Sequence, residues 1–194
     1  QEQNIDLDRA VEIAINNNLS LKASALRIAE TKELIGSARN MEKTNIYLNR
    51  DQNNIAPNDA ALTLLGLSQG FRLPSVYEAQ RKVLENESRL ASDLYLMDER
   101  NLVKNLSKAY VQVVFWKDLE DNYAYLSRLY EDVAQAAAKK YEAGESDYLE
   151  QLSAKTRAEE MQLQIRQVKD NLSKSYVEFR SYLQSDTLFG VAED

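Results

Sequence analysis

The side chains best suited to catalysis and to soft-metal binding are missing from this sequence. Its 194 residues include no His and no Cys. This removes imidazole and thiolate metal sites, Cys–His and Ser–His–Asp catalysis, and disulfides. The methionines Met41, Met97 and Met161 are too dispersed for a soft-metal relay, so we expect them to fill the core. We therefore predict no catalytic residue, no metal site and no cofactor, and we do not expect an enzyme.

Acidic side chains cluster around one glycine in the second half of the chain. Glu142, Glu145, Asp147 and Glu150 flank Gly144. Such a run can bind cations or line an aperture. Taken alone, however, the residues favour a solvated loop whose charges complement the dipoles of the flanking helices.

Composition limits the class of protein further. The 24 basic residues against 31 acidic ones give a net charge of −7, which argues against a nucleic-acid binder. Only 5 Gly and 2 Pro occur, so turns must be few and an all-β sandwich is disfavoured. The longest uncharged run, Ala60 to Phe71, is shorter than the roughly 20 apolar residues that a membrane-spanning helix needs.

The elements that would position these residues begin with two helices over about 6–41. Residues 6–17 have amphipathic spacing, and Asn16-Asn17-Asn18 interrupts the pattern because Asn tolerates a left-handed helix end. Ser20 is then the predicted N-cap of a second helix that runs to about Met41.

The region 44–73 predicts an inserted β-hairpin. Residues 45–50 alternate polar and apolar, 51–59 form a polar turn, and 62–71 read as a second strand with two glycines. An isolated two-stranded hairpin is marginal in water, so we expect partners from elsewhere.

Residues 75–142, after Pro74, predict one long helix of roughly 100 Å. Its apolar residues follow a 4-3 spacing with only Glu120 and Ser127 polar, which is typical of a heptad seam. The seam consists of Leu102, Leu106, Ala109, Val113, Trp116, Glu120, Tyr123, Ser127, Tyr130, Ala134, Ala137 and Tyr141.

A tight turn over 143–147 ends the long helix and starts the last one, at about 148–185. Gly144 suits a left-handed C-cap, and Asp147 with Glu150 forms a capping-box pattern. The last helix carries its own apolar seam, so the two helices should form an antiparallel hairpin. That seam consists of Leu149, Leu152, Ala158, Met161, Ile165, Val168, Leu172, Phe179 and Leu183. We predict a mainly α, elongated coiled coil in which shorter helices, stacked in line, flank the long helix.

Three stretches resemble the TolC-like outer membrane efflux proteins, and together they extend over nearly the whole chain. Residues 7–19 are similar to the N-terminal signature, 67–77 to the second strand entering the long helix, and 140–152 to the turn at the periplasmic tip. Typical members carry two such repeats, whereas residues 1–194 contain one. Phe71, Pro74 and Tyr77 are most similar to single-repeat members associated with heavy-metal pumps of the resistance–nodulation–division (RND) type.

The resemblance implies a passive channel in the bacterial outer membrane, with its helical part in the periplasm. An inner-membrane RND pump would drive export, with heavy-metal cations as a candidate cargo, and a periplasmic adaptor would contact the tip. The implied tip residues are Ala143, Gly144, Glu145, Ser146, Asp147 and Tyr148. Outer membrane lipid is a further implied partner, and the implied membrane hairpin residues are Ile46, Tyr47, Leu48, Leu62, Leu64, Leu65, Leu67 and Phe71.

Assembly follows from the same resemblance. Strand edges cannot stay unpaired in lipid, so two strands per chain must join other copies in a β-barrel. A family-sized barrel of about twelve strands would need about six copies. The alternative is a soluble helical-bundle protein that binds partner helices. The shortness of the first predicted strand supports it, since a spanning strand needs about 9–11 residues.

Overall fold

The computed structural model describes residues 3–51 and 62–192, which form four helices and two small sheets. In chain order the elements are β1 (Gln3–Ile5), α1 (Leu7–Asn17), α2 (Leu19–Ser37), β2 (Asn45–Asp51), β3 (Leu62–Ser68), α3 (Pro74–Glu142), α4 (Tyr148–Leu183) and β4 (Phe189–Val191). The predicted mainly α fold with one inserted β-hairpin is confirmed. The polar turn predicted over 51–59 lies, apart from the backbone of Asp51, outside the described residues.

The chain divides into two compact units, which are described separately below. The first comprises residues 1–21 and 97–194, and the second comprises residues 22–96. The assignment of 1–194 to a single repeat domain stays a prediction.

The junction between α1 and α2 differs from its prediction at Asn18. Asn18 has φ −59° rather than a left-handed backbone. Its N–H donates to the Ala14 carbonyl at 2.9 Å, and its Oδ1 accepts from the Leu21 N–H at 3.0 Å. Asn18 therefore caps the end of α1 and the start of α2 at once. The predicted cap, Ser20, lies inside α2, so that prediction was wrong.

Helices α3 and α4 run antiparallel within the first unit. The Tyr110 and Phe179 rings meet edge-on with centroids 5.8 Å apart, and the Tyr141 and Tyr148 rings do so at 5.9 Å. Between these pairs, Lys169 Nζ lies 3.7 Å from Glu120 Oε1. From one contact to the next, the residue number increases on α3 and decreases on α4, which is the pattern of an antiparallel helical hairpin. The ion pair also accounts for the carboxylate of Glu120 within a largely apolar seam.

The heptad seam of α3 is its least exposed face in this unit. Leu106 and Val113 are fully buried, and Ala137 is buried near the helix end. Burial fails close to the turn, where Tyr141 is 42% exposed, Leu149 68% and Leu152 43%. The seam prediction was wrong for these three residues because no other part of the described chain covers the last turns of the helical hairpin.

A short parallel sheet, absent from the sequence predictions, joins the two ends of the chain in the first unit. β1 pairs with β4, with Gln3 opposite Phe189 and Ile5 opposite Val191. The Tyr110 hydroxyl lies 3.4 Å from the Ile5 carbonyl oxygen and 3.3 Å from that of Ala192. These bonds tie the sheet to α3. The buried side chains of this unit include Ala10, Ala14, Leu106, Phe179 and Leu183.

The second unit contains the β-hairpin and the helix segments beside it. β2 and β3 are antiparallel, with Asn45 opposite Ser68 and Asp51 opposite Leu62. β3 ends at Ser68 rather than at the predicted Phe71, because the Gln69 side chain donates to the Glu42 carbonyl at 2.7 Å in place of a strand ladder.

Helix α2 ends earlier than predicted, at Ser37 rather than near Met41. The Ser37 hydroxyl donates to the Leu34 carbonyl at 2.6 Å, which competes with the helical backbone bonds. The next backbone bonds, Ala38 N–H to Ile35 O and Asn40 N–H to Ser37 O, are those of tight turns.

None of the described helices contains a stretch that is both long and apolar enough to cross a membrane.

Candidate functional site

The predicted tip turn is built from two consecutive caps. At the end of α3, the Gly144 N–H donates to the Tyr141 carbonyl at 3.0 Å, and the Glu145 N–H donates to the Lys140 carbonyl at 2.9 Å. This pair of bonds is the Schellman motif, which needs a left-handed residue, and Gly144 has φ +75°. Asp147 then caps α4, since its Oδ1 accepts from the Glu150 N–H at 2.8 Å. The chain reverses within five residues.

The carboxylates of this turn point to solvent. Glu142, Glu145, Asp147 and Glu150 are all exposed, and no group of three or more acidic side chains suited to a metal ion occurs in the described ranges. Asp147 and Glu150 lie at the start of α4, where negative charge complements the helix dipole. The turn therefore presents negative charge to a partner or to solvent.

An exposed apolar patch accompanies these charges. Tyr148 is 60% exposed and lies against Tyr141, and Leu149 and Leu152 follow it on α4. The Ser146 hydroxyl is shielded from solvent and has no hydrogen-bond partner among the described residues. The six predicted tip residues thus form one tight turn, and exposed aromatic and aliphatic side chains lie next to it.

The β-hairpin has one strongly apolar face. In the register of the sheet, Ile46 lies opposite Leu67 and Leu48 opposite Leu65, and alternation places these four side chains on the same side. They are 69–75% exposed. We call this set the apolar hairpin face. Four adjacent aliphatic side chains in water are unfavourable, so such a patch is typical of a surface made for lipid or a partner.

The opposite side of the hairpin is mixed. Tyr47, Leu62 and Leu64 lie there with polar residues such as Asn49, and these three apolar side chains are 45–47% exposed. The Tyr47 ring covers its cross-strand neighbour Gly66, where a Cβ atom would overlap it. The predicted hairpin residues thus divide between two faces, and Phe71 lies beyond the end of β3 on neither.

Sequence reasoning missed the contacts that organise the chain ends and the base of the hairpin. The alternating apolar residues Phe189 and Val191 were a signal for β4, but three-residue strands carry too little periodicity to predict a pairing. Nor did it find that Arg39, Arg72 and Arg81 line one pocket below the hairpin.

Comparison with solved structures finds the same fold in several outer membrane channels. The sequence matches no protein-family profile and no curated protein. Among solved structures, the Campylobacter jejuni CmeC outer membrane channel superposes with a TM-score of 0.77 at 16% identity, over 97% of this chain and 45% of that one. The outer-membrane channel OprN gives 0.76 at 16% identity, over 96% and 47%. CusC, a transmembrane channel protein, gives 0.61 at 18% identity, over 100% and 47%.

The expected fold is therefore confirmed. The chain has the TolC-like fold of outer membrane efflux channels, in a single-repeat form. It spans slightly less than half the length of the channels that it matches.

Proposed function

We propose that this protein is a channel-forming component of a tripartite efflux system in the bacterial outer membrane. It acts as a passive conduit, with its helical part in the periplasm, and an inner-membrane RND pump supplies the energy. The observation that carries the proposal is the apolar hairpin face, because an alternating strand pair with one aliphatic side and one mixed side suits a wall between lipid and water. The fold shared with outer membrane channels supports it.

Assembly into a homo-oligomer is part of the proposal. In the second unit, the buried side chains among the described residues are only Ala38, Ser88 and Ala91. So small a core leaves many apolar groups for other copies to cover. Both hairpin edges also need partners in lipid, which favours closure with further copies, about six for a barrel of about twelve strands.

The tip turn is the proposed contact for a periplasmic adaptor protein. Its support is the pairing of exposed carboxylates with an exposed apolar patch around Tyr148 and Leu149 on one reversal. Interfaces commonly combine an aromatic centre with a polar rim. For the cargo, the resemblance of Phe71, Pro74 and Tyr77 to heavy-metal efflux members supports metal cations as the exported class.

Membrane fractionation of paired variants tests the proposal. Leu48→Asn with Leu65→Asn places two amides on the apolar hairpin face, and we expect the protein to leave the detergent-extractable membrane fraction. The matched control is Leu62→Asn with Leu64→Asn, the same chemistry on the opposite face, which should remain in the membrane.

Equal recovery of both double variants in the membrane fraction would contradict a lipid-facing role for the apolar hairpin face. Loss of both would show that the hairpin merely needs leucines to fold. Circular dichroism of each purified variant separates failure to insert from failure to fold.

A further inference from the structure

A basic pocket lies at the base of the β-hairpin, inside the second unit. It has a volume of about 410 Å³, which is in the range of pockets that hold small ligands. It is lined by three arginines and one glutamate together with four apolar or aromatic residues: Arg39, Arg72, Arg81 and Glu78, with Met41, Phe71, Pro74 and Tyr77. We call it the hairpin-base pocket.

Two of the three guanidinium groups of this pocket are bound to carboxylates and still have N–H donors to offer. Arg72 Nε donates to Glu42 Oε1 at 3.1 Å, and Arg81 Nε donates to Glu85 Oε1 at 2.9 Å. Their side chains remain 48% and 51% exposed. Arg72 Nη1 also donates to Gln80 Oε1 at 3.5 Å. A guanidinium has five N–H donors, so these bonds leave other N–H groups to bind the oxygens of a phosphate.

Charge around the pocket is opposite in sign to that of the whole chain. The segments 39–43 and 71–85, which include the carboxylates bound to Arg72 and Arg81, contain five cationic residues and three acidic ones, a net charge of +2, whereas the chain carries −7. Positive charge is therefore concentrated where the chain passes between strands and helices. An anionic ligand is the complementary occupant.

The rim of the pocket is apolar and open. Met41 is 67% exposed, so the expectation that it fills the core was wrong, and Phe71 is 76% exposed. Leu73, which follows Arg72 in the sequence, is 72% exposed. Together with the arginines they form a surface with a cationic part and an apolar part, next to the apolar hairpin face. A ligand that matches both parts carries a phosphate and a hydrocarbon portion.

We propose that the hairpin-base pocket binds the headgroup phosphate of an anionic phospholipid. The arginines contact the phosphate oxygens, and Met41 and Phe71 contact the adjoining hydrocarbon. The inference rests on the proposed function, because a hairpin immersed in lipid brings its base to the level of the headgroups. Binding of a headgroup there would fix the depth at which the hairpin lies in the bilayer.

Vesicle binding by the full chain tests the inference. We compare phosphatidylcholine vesicles with vesicles in which about a third of the lipid is phosphatidylglycerol, and expect tighter binding to the second. Arg39→Gln with Arg81→Gln should weaken binding to the anionic vesicles roughly 30-fold, since each surface arginine contributes about a factor of five. The control, Arg27→Gln with Arg89→Gln, removes the same charge from exposed positions on α2 and α3 and should lose far less.

The outcomes separate the pocket from the proposed function. Equal weakening by both pairs, or no preference for anionic vesicles, would overturn the pocket and leave the membrane role intact. Failure to bind any vesicle would count against the membrane role. The pocket is then decided in solution, by calorimetry with water-soluble dihexanoyl phosphatidylglycerol. Tighter binding by the unmodified chain than by Arg39→Gln with Arg81→Gln supports it, and equally tight binding of inorganic phosphate overturns the lipid assignment.

Discussion

Gly144 shows how one backbone angle can control the tip turn. At φ +75° a side chain strains the backbone, whereas nothing lies within 4 Å of a Cβ at this position. Any effect of substitution must therefore come from the backbone conformation rather than from a clash.

We expect Gly144→Val to abolish efflux-dependent resistance while the protein stays folded and in the membrane. A β-branched residue in the left-handed region costs about 1–3 kcal/mol, so the Schellman turn should rearrange and displace Glu145 and Asp147. Resistance assays and urea unfolding measure the two effects. Gly144→Asn is the control, because Asn tolerates this conformation. If resistance with Val matched that with Asn, the turn would be a connector without a docking role.

The helix seam provides a test of the packing of α3. Val113 is fully buried, whereas Val111, two residues earlier on the same helix, is 61% exposed. Because both positions are valine, one substitution made at each of them compares the effect at a buried site with the effect at an exposed site.

Val113→Asp should destabilise the isolated chain by several kcal/mol, because it buries a carboxylate without a partner. Val111→Asp should change stability by no more than about 0.5 kcal/mol. Thermal melting followed by circular dichroism measures both. Similar losses of melting temperature at the two positions would show that the packing register between α3 and α4 is wrong.

The sparse core of the second unit bears on the assembly of the whole protein. Among the described residues, β2 and β3 pair with no other strand and carry four exposed aliphatic side chains. Such a hairpin is marginal in water, and in lipid its open edges need partners. Other copies are the simplest source of the missing pairing and burial.

Light scattering in detergent should give a protein mass about six times the 22.2 kDa of one chain. Each copy contributes two strands, so a barrel of about twelve strands needs about six copies. Leu48→Asn with Leu65→Asn, which removes the lipid contact, should lower the proportion of that species. A mass of 22.2 kDa at every concentration would exclude closure by copies of this chain alone.

Local signals were enough for much of the fold and for the tip turn. Gly144 and Asp147 act on backbone groups a few residues away, so their spacing predicted both the reversal and the start of α4. Helix ends were less predictable. Asn18 and Ser37 each form side-chain bonds that end or begin a helix, and nearby residues offered equally good candidates.

The sequence was sufficient to predict the helices, the strands and their periodicity, because these depend on residues that are close neighbours along the chain. Pairing between distant segments depended on the folded chain. β1 meets β4 from distant parts of the sequence through three-residue strands, and Tyr110 binds the carbonyl of Ile5 in β1 and that of Ala192, just after β4. The arginines of the hairpin-base pocket come together only because β2 and β3 pair, which brings the segment before β2 close to the segment after β3. Contacts of this kind leave no local pattern, since their free energy arises from burial and bonding between segments that the sequence does not place side by side.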